Sequence, residues 1–312
     1  MTAPALPATA PRIVRPSERP RAGRSFSLVE VWLRAHTTLV YLFLYAPILV
    51  VVLFAFNDTE GVAARWEGFS LRWFDIALND PVVMKSLANS FIVAIPNAIM
   101  ATLFGTMAAL GLQRVGKRIR VAFDGLTYMS VIVPEIVIAL ATLVLFATTF
   151  DAVEGITGER PKFGYTTIIA AHVLFNTSLV LLLVRARLSG MDRTLVEASA
   201  DLFATPWRTF RQITFPILLP AIVAGFLLSF TFSFDDYVIT TFVSGPGSST
   251  LPLFIFGQVR RGVTPETNAV ATMILAITIG TLLLGQIILT WQSRRQGRVG
   301  EGGMATIVAT ER

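Results

Sequence analysis

Residues 38–56 read TLVYLFLYAPILVVVLFAF, a run with no charged side chain. A hydrocarbon core about 30 Å thick is crossed by about 20 such residues in helical form. The stretch therefore reads as a membrane span, and similar runs follow at about 87–112, 121–150, 165–184, 213–234 and 269–291. The third is long enough to be tilted or broken. No water reaches the middle of a bilayer to satisfy peptide groups, so these runs must be helices. The alternating strands that a barrel would need are absent. Composition agrees: 54% of the 312 residues are hydrophobic and 15% charged, against about 25% charged in soluble domains. The fold class expected is an all-α membrane protein with six transmembrane helices over 31–295. A disordered Pro- and Arg-rich tail at 1–30 and a flexible tail at 296–312 flank it.

Basic residues orient the spans. With the N-terminus inside, nineteen of the 26 Lys and Arg residues fall in the four inner segments and seven in the outer loops. Both termini are thus expected in the cytoplasm. The net charge of +6 is spread over separate segments and does not argue for nucleic acid. The first apolar run begins too far in to be a signal peptide, and with no cysteine there are no disulfides or thiolate metal sites.

Enzyme signatures are rejected one by one. GLQRVGKR, 111–118, has the spacing of a phosphate-cradling loop, but Arg118 stands where the hydroxyl residue for magnesium would be, and the preceding element is a span. The chain is expected to bind no ATP, no other cofactor and no metal, and to carry no catalytic residue. His36 and His172 lie far apart. His172 and Asn176, one turn apart in the fourth span, read as interhelical hydrogen-bonding residues.

Between the fourth and fifth spans lies EASADLFATPWRTFRQITFPILLP, 197–220, within an inner loop at about 185–212. Thr194 and Glu197 have capping-box spacing, with Leu195, Ala198 and Leu202 on one face of a short helix. Thr205 and Pro206 then restart a helix as N-cap and first residue. Trp207, Phe210 and Ile213 follow at helical spacing, before Pro216 and Pro220 introduce the fifth span. Such a knob suits a groove on a cytoplasmic partner.

This stretch resembles the EAA loop of membrane subunits of binding-protein-dependent ABC importers, with Glu197, Ala198, Asp201, Pro206, Phe210, Ile213, Pro216 and Pro220 in matching places. The resemblance implies a type I importer permease fold, in which Glu197, Ala198, Ser199, Asp201, Phe203, Ala204 and Pro206 form a coupling helix docked on an ATPase subunit. Glu197 is either a local cap or a cap that also touches the ATPase. The sequence departs from the pattern at Ser199 and at Phe203, which stands where the family has a turn glycine. A left-handed turn is costly for Phe, so the turn lies at Phe203 with altered geometry or shifts toward Ala204.

Residues 233–272, SFDDYVITTFVSGPGSSTLPLFIFGQVRRGVTPETNAVAT, are similar to the same region of spermidine/putrescine importer permeases. That resemblance, covering about 28–295, implies polyamine import across the bacterial inner membrane. It also implies a second, homologous permease, two ATPase subunits that hold ATP and magnesium, and a periplasmic binding protein. Another organic cation, an amino acid or an opine-like solute remains the alternative cargo, and a secondary transporter the remote one. Candidate pathway residues are the adjacent Asp235 and Asp236, which repel unless a cation lies near, with Tyr237 beside them. Glu135, about ten residues into the third span, joins them; Pro134 would leave it at the start of a half-helix, where negative charge is favoured.

Overall fold

A computed structural model describes residues 28–60 and 65–310, with side chains described as far as Ile288 and at Thr290. The expected disordered tail at 1–30 lies outside these residues, apart from Leu28–Glu30, which already belong to the first helix. Twelve α-helices occur among the described residues: α1 Leu28–Ala55, α2 Arg72–Asn79, α3 Pro81–Gly111, α4 Lys117–Ile132, α5 Glu135–Thr157, α6 Tyr165–Ser189, α7 Thr194–Asp201, α8 Pro206–Thr209, α9 Phe215–Phe234, α10 Val238–Val243, α11 Leu251–Val259 and α12 Pro265–Thr310. The only strand-like pairing described is an isolated bridge, Asn57 to Phe69.

Six of these segments are long and apolar enough to cross a membrane: α1, α3, α5, α6, the stretch Pro206–Phe234 and Pro265–Ile288. The number expected from sequence is met, and two boundaries change. The expected third span at 121–150 is two helices. Val133 is extended (φ −64°, ψ 132°) because the residue before a proline is pushed out of the helical region, and Pro134 follows at φ −54°, ψ 136°. α5 therefore begins at Glu135, the half-helix start that the sequence suggested. The fifth span begins earlier than 213. α8 runs through a π-helical turn, Phe210–Thr214, into α9 without interruption. Pro216 offers no amide to the Gln212 carbonyl one turn back, and a widened turn accommodates that loss. The backbone of 296–310, expected as a flexible tail, is helical and continuous with the sixth span.

The described residues fall into two units, divided between Ile48 and Leu49. The described part of the first is helical, with Trp32 stacked on His36 at 5.5 Å and Tyr41 on Tyr45 at 6.1 Å. The second is built on α3, α6 and α9. Toward one end Ala109, Val180, Val184 and Leu218 form a buried cluster; toward the other, Ala94, Ala98, Phe230 and Phe234 form another. Water-driven burial does not hold helices together in lipid, so close packing must. Gly105 of α3 provides it: a Cβ there would lie 2.7 Å from Val180 Cβ and 2.9 Å from the Thr177 carbonyl oxygen. Gly225 of α9 meets the same valine from the other side, 3.1 Å from its Cγ1.

Gly105→Leu should force α3 from α6 and destabilise the assembled protein by about 1–3 kcal/mol. Thermal unfolding of the detergent-solubilised protein measures it, and an unchanged midpoint would show that the contact is not a close one.

Candidate functional site

Two regions carry the chemistry, at opposite ends of the Pro206–Phe234 helix. At one end, α6 stops at Ser189 and Asp192 accepts a hydrogen bond from the Thr194 amide at 2.9 Å. That amide bond, with the Thr194 hydroxyl, holds the Asp192 carboxyl below its ordinary value. The expected capping box of Thr194 and Glu197 does not form. Thr194 is already inside the helix, and the Glu197 amide bonds to the Arg193 carbonyl at 3.1 Å. Asp192, a charged acceptor two residues earlier, takes the capping role. Glu197 is left exposed on α7.

α7 ends on a left-handed residue, and that residue is Phe203 (φ 55°), the one non-glycine residue with positive φ among those described. Its amide reaches the Ala200 carbonyl at 2.9 Å, and the Ala204 amide reaches Ser199 at 3.0 Å. This is the hydrogen-bond pair of a glycine-type helix C-cap. The turn is therefore not shifted to Ala204. Phe holds a conformation that costs an L-residue about 1–2 kcal/mol.

Ser199 is buried. Its hydroxyl lies 2.9 Å from that of Thr209 and 2.8 Å from the Val196 carbonyl, so it ties α7 to α8. Thr205 caps α8 as expected, accepting from the Arg208 amide at 3.4 Å, with Pro206 at the first position. Ala198, Asp201, Ala204 and Pro206 form the body of this knob. Leu202, Phe203 and Trp207 stand out from it, 81%, 94% and 68% exposed.

At the other end the adjacent aspartates part company. Asp236 is buried. It accepts from the Thr240 amide and hydroxyl, both at 2.7 Å, and from the Ile239 amide at 3.3 Å, closing the start of α10. His172 of α6 lies 3.1 Å away through Nε2, while its Nδ1 is 2.7 Å from the Ser233 hydroxyl. An ionised carboxylate only accepts, so Nε2 carries the proton and, in the neutral ring, Ser233 donates to Nδ1. Glu135 faces Asp236 from the start of α5. Below them Asn176 donates to Asn97 at 3.3 Å, and Asn97 donates to the Ser229 carbonyl at 3.0 Å. His172 and Asn176 thus bond between helices, as read from sequence.

Asp235 points outward. It accepts from the Thr278 hydroxyl at 3.1 Å beside a cavity of about 330 Å³ lined also by Tyr237, Phe256 and Ile274. Tyr237 stacks on Phe256 with centroids 3.8 Å apart. The four acidic and aromatic candidates thus fall into two adjoining groups, Glu135 with Asp236 and Asp235 with Tyr237. Sequence reasoning missed Thr240, Ser233, Phe256 and Thr278. Only Thr240 had a local signal, its four-residue spacing from Asp236.

Residues 101–298 match the model of the family described as binding-protein-dependent transport system inner membrane components. The putrescine transport system permease protein PotI of Escherichia coli (strain K12) is 42% identical over 238 residues, 75% of this chain and 82% of that protein. The spermidine/putrescine transport system permease protein PotC of the same strain is 33% identical over 264 residues, 85% of this chain and 95% of that one. Among solved structures, a bacterial ABC transporter involved in the import of the acidic polysaccharide alginate superposes with a TM-score of 0.66 over 86% of this chain and 95% of its own, at 13% identity. At that identity the likeness is one of fold.

Asp236→Ala would leave His172 and the α10 amides without their acceptor, a loss on the order of 3 kcal/mol for a buried pair. Asp235→Ala, on an exposed carboxylate, should cost well under half of that. Parallel melting curves of the two variants test this ordering, and equal losses would contradict it.

Proposed function

This chain belongs to the family of binding-protein-dependent transport system inner membrane components, and on that premise we propose that it is one permease subunit of an ATP-driven importer of polyamines. Spermidine and putrescine are the proposed cargo, supported by the relatives' names and by a carboxylate set beside stacked aromatic rings. The observation that carries the reading is the continuous helix from Pro206 to Phe234. It joins an exposed apolar knob at one end to paired acids at the other.

The proposed cycle uses that helix as a lever. One of two ATPase subunits, which hold ATP and magnesium, grips Leu202, Phe203 and Trp207, with Glu197 at the edge of the contact. Their closure moves α7 and α8, and α9 carries the motion about 30 Å along its axis to Asp235 and Asp236. A second, homologous permease completes the pathway, and a periplasmic binding protein delivers the cargo. Both termini face the cytoplasm, in keeping with the bias of basic residues.

Asp235 meets the ammonium groups of the cargo, with the ring faces of Tyr237 and Phe256 adding cation–π attraction. Glu135 and Asp236 border the same path one layer deeper, where Asp236 holds the start of α10 behind Tyr237. This chain performs no chemistry; hydrolysis belongs to its partners.

Uptake of radiolabelled putrescine and spermidine should vanish in cells lacking this chain and return when it is restored. Asp235→Asn should lower uptake about tenfold, as loss of one charged contact predicts, with the complex still assembled. Uptake indifferent to the chain would withdraw polyamine as cargo. Trp207→Ala should uncouple putrescine-stimulated ATP hydrolysis from transport in the reconstituted complex. Unchanged coupling would remove the lever. The chain has no cysteine, so a single cysteine at Arg118, exposed at the start of α4 and outside the proposed ATPase contact, reports orientation directly: an impermeant thiol reagent should label it in inverted vesicles and not in intact cells.

A further inference from the structure

At the basic end of the bundle a small polar cavity of about 190 Å³ opens among the ends of α3 and α6 and the start of α4. Arg120, Arg185 and Arg193 converge on it, with Gln113 and Ser189. One carboxylate answers three guanidiniums. Asp124 pairs with Arg185 through both nitrogens, one contact at 3.3 Å. Arg120 donates to the carbonyls of Leu112 and Gln113, at 3.1 Å each; it shares the field of the Asp124 carboxylate with Arg185, and its described hydrogen bonds go to dipoles. Arg193 is exposed, and no ion pair for it is described. Asp192, next to Arg193 in sequence, is engaged by the Thr194 amide. The cavity is left with net positive charge.

A second cavity, about 660 Å³ and almost wholly apolar, lies along the same helices. The two share their helix faces. On α6, Ser178 and Leu181 line the apolar cavity, and Arg185 and Leu188 continue that stripe at helical spacing into the basic one. On α4, Thr127 and Phe123 line the first, and Arg120, one turn further along, lines the second. An apolar slot running to a cationic mouth at the membrane's inner boundary has the chemistry of an anionic phospholipid site. Its volume lies in the range of small-molecule pockets, about 300–1,000 Å³.

We infer that the seam between α3, α4 and α6 holds an anionic phospholipid, its headgroup phosphate on Arg120 and Arg193 and an acyl chain against α4, α5 and α6. Free phosphate would satisfy the arginines and leave the apolar slot unexplained, so a lipid is the occupant. Arg193 stands immediately before α7, and the lipid therefore tethers the start of the coupling knob to the bilayer surface. The inference rests on the permease reading for its membrane placement and not on the cargo.

The test is native mass spectrometry of the intact complex released from nanodiscs containing phosphatidylglycerol and phosphatidylcholine. Phosphatidylglycerol should be retained in preference to phosphatidylcholine. Arg193→Gln, which alters an exposed side chain, should reduce retention about tenfold, as should Ala141→Trp, which fills the apolar slot. Retention that ignores both substitutions overturns the proposal. So does displacement by inorganic phosphate with no preference between the lipids, the mark of a free-anion site. A photo-crosslinker at Leu126 that captures the second permease in place of lipid would overturn it also. Lipid retention is read without cargo or ATP, so a failed uptake assay leaves this result standing, and the reverse holds.

Discussion

The carboxylate of Asp236 is the interaction on which the acidic end of the bundle depends. α9 ends at Phe234 and α10 begins at Val238, and a helix start buried among apolar helices exposes amides that no water can reach. Asp236 supplies the acceptor for two of them and for the Thr240 hydroxyl, and His172 of α6, itself held by the Ser233 hydroxyl of α9, fixes the carboxylate in place. That anchor fixes the start of α10, while the Thr167 hydroxyl holds its far end through the Val243 carbonyl at 2.6 Å. Without the Asp236 carboxylate, Tyr237 and Asp235, between the two helices, would lose their orientation toward Phe256 and Thr278. The geometry of the exposed acid is thus set by the buried one beside it.

Much of the fold was legible in the sequence because membrane burial writes itself in long uncharged runs. Six runs became six spans. Pro134 marked the break that places Glu135 at a helix start, since a proline constrains both itself and its predecessor. The parts that were not legible depend on choices between competing acceptors or on distant partners. Thr194 and Glu197 have the spacing of a capping box, but Asp192 precedes them and wins the amide. α10 and α11 are too short to show periodicity, and they exist because Asp236, and Ser90, whose hydroxyl accepts from the Leu251 amide at 2.8 Å, close their first turns. Asp235 and Asp236 look alike in sequence; only the fold decides that one faces His172 and the other Thr278.

Phe203 shows why a rule broken locally need not mean a rule misapplied. The glycine of the family pattern is favoured because the residue ending α7 must be left-handed. Here the left-handed turn persists with its full pair of hydrogen bonds, and a phenylalanine sits in it. The strain is retained where the side chain is almost wholly exposed, so the fold of this chain alone gains nothing from the ring. A large apolar residue kept in a costly conformation and turned toward solvent makes sense if another protein covers it. Leu202 and Trp207, exposed on either side, extend the same patch. The proposed ATPase contact therefore accounts for an otherwise unfavourable residue. It also puts that contact at the end of a helix that runs without a break to the paired acids.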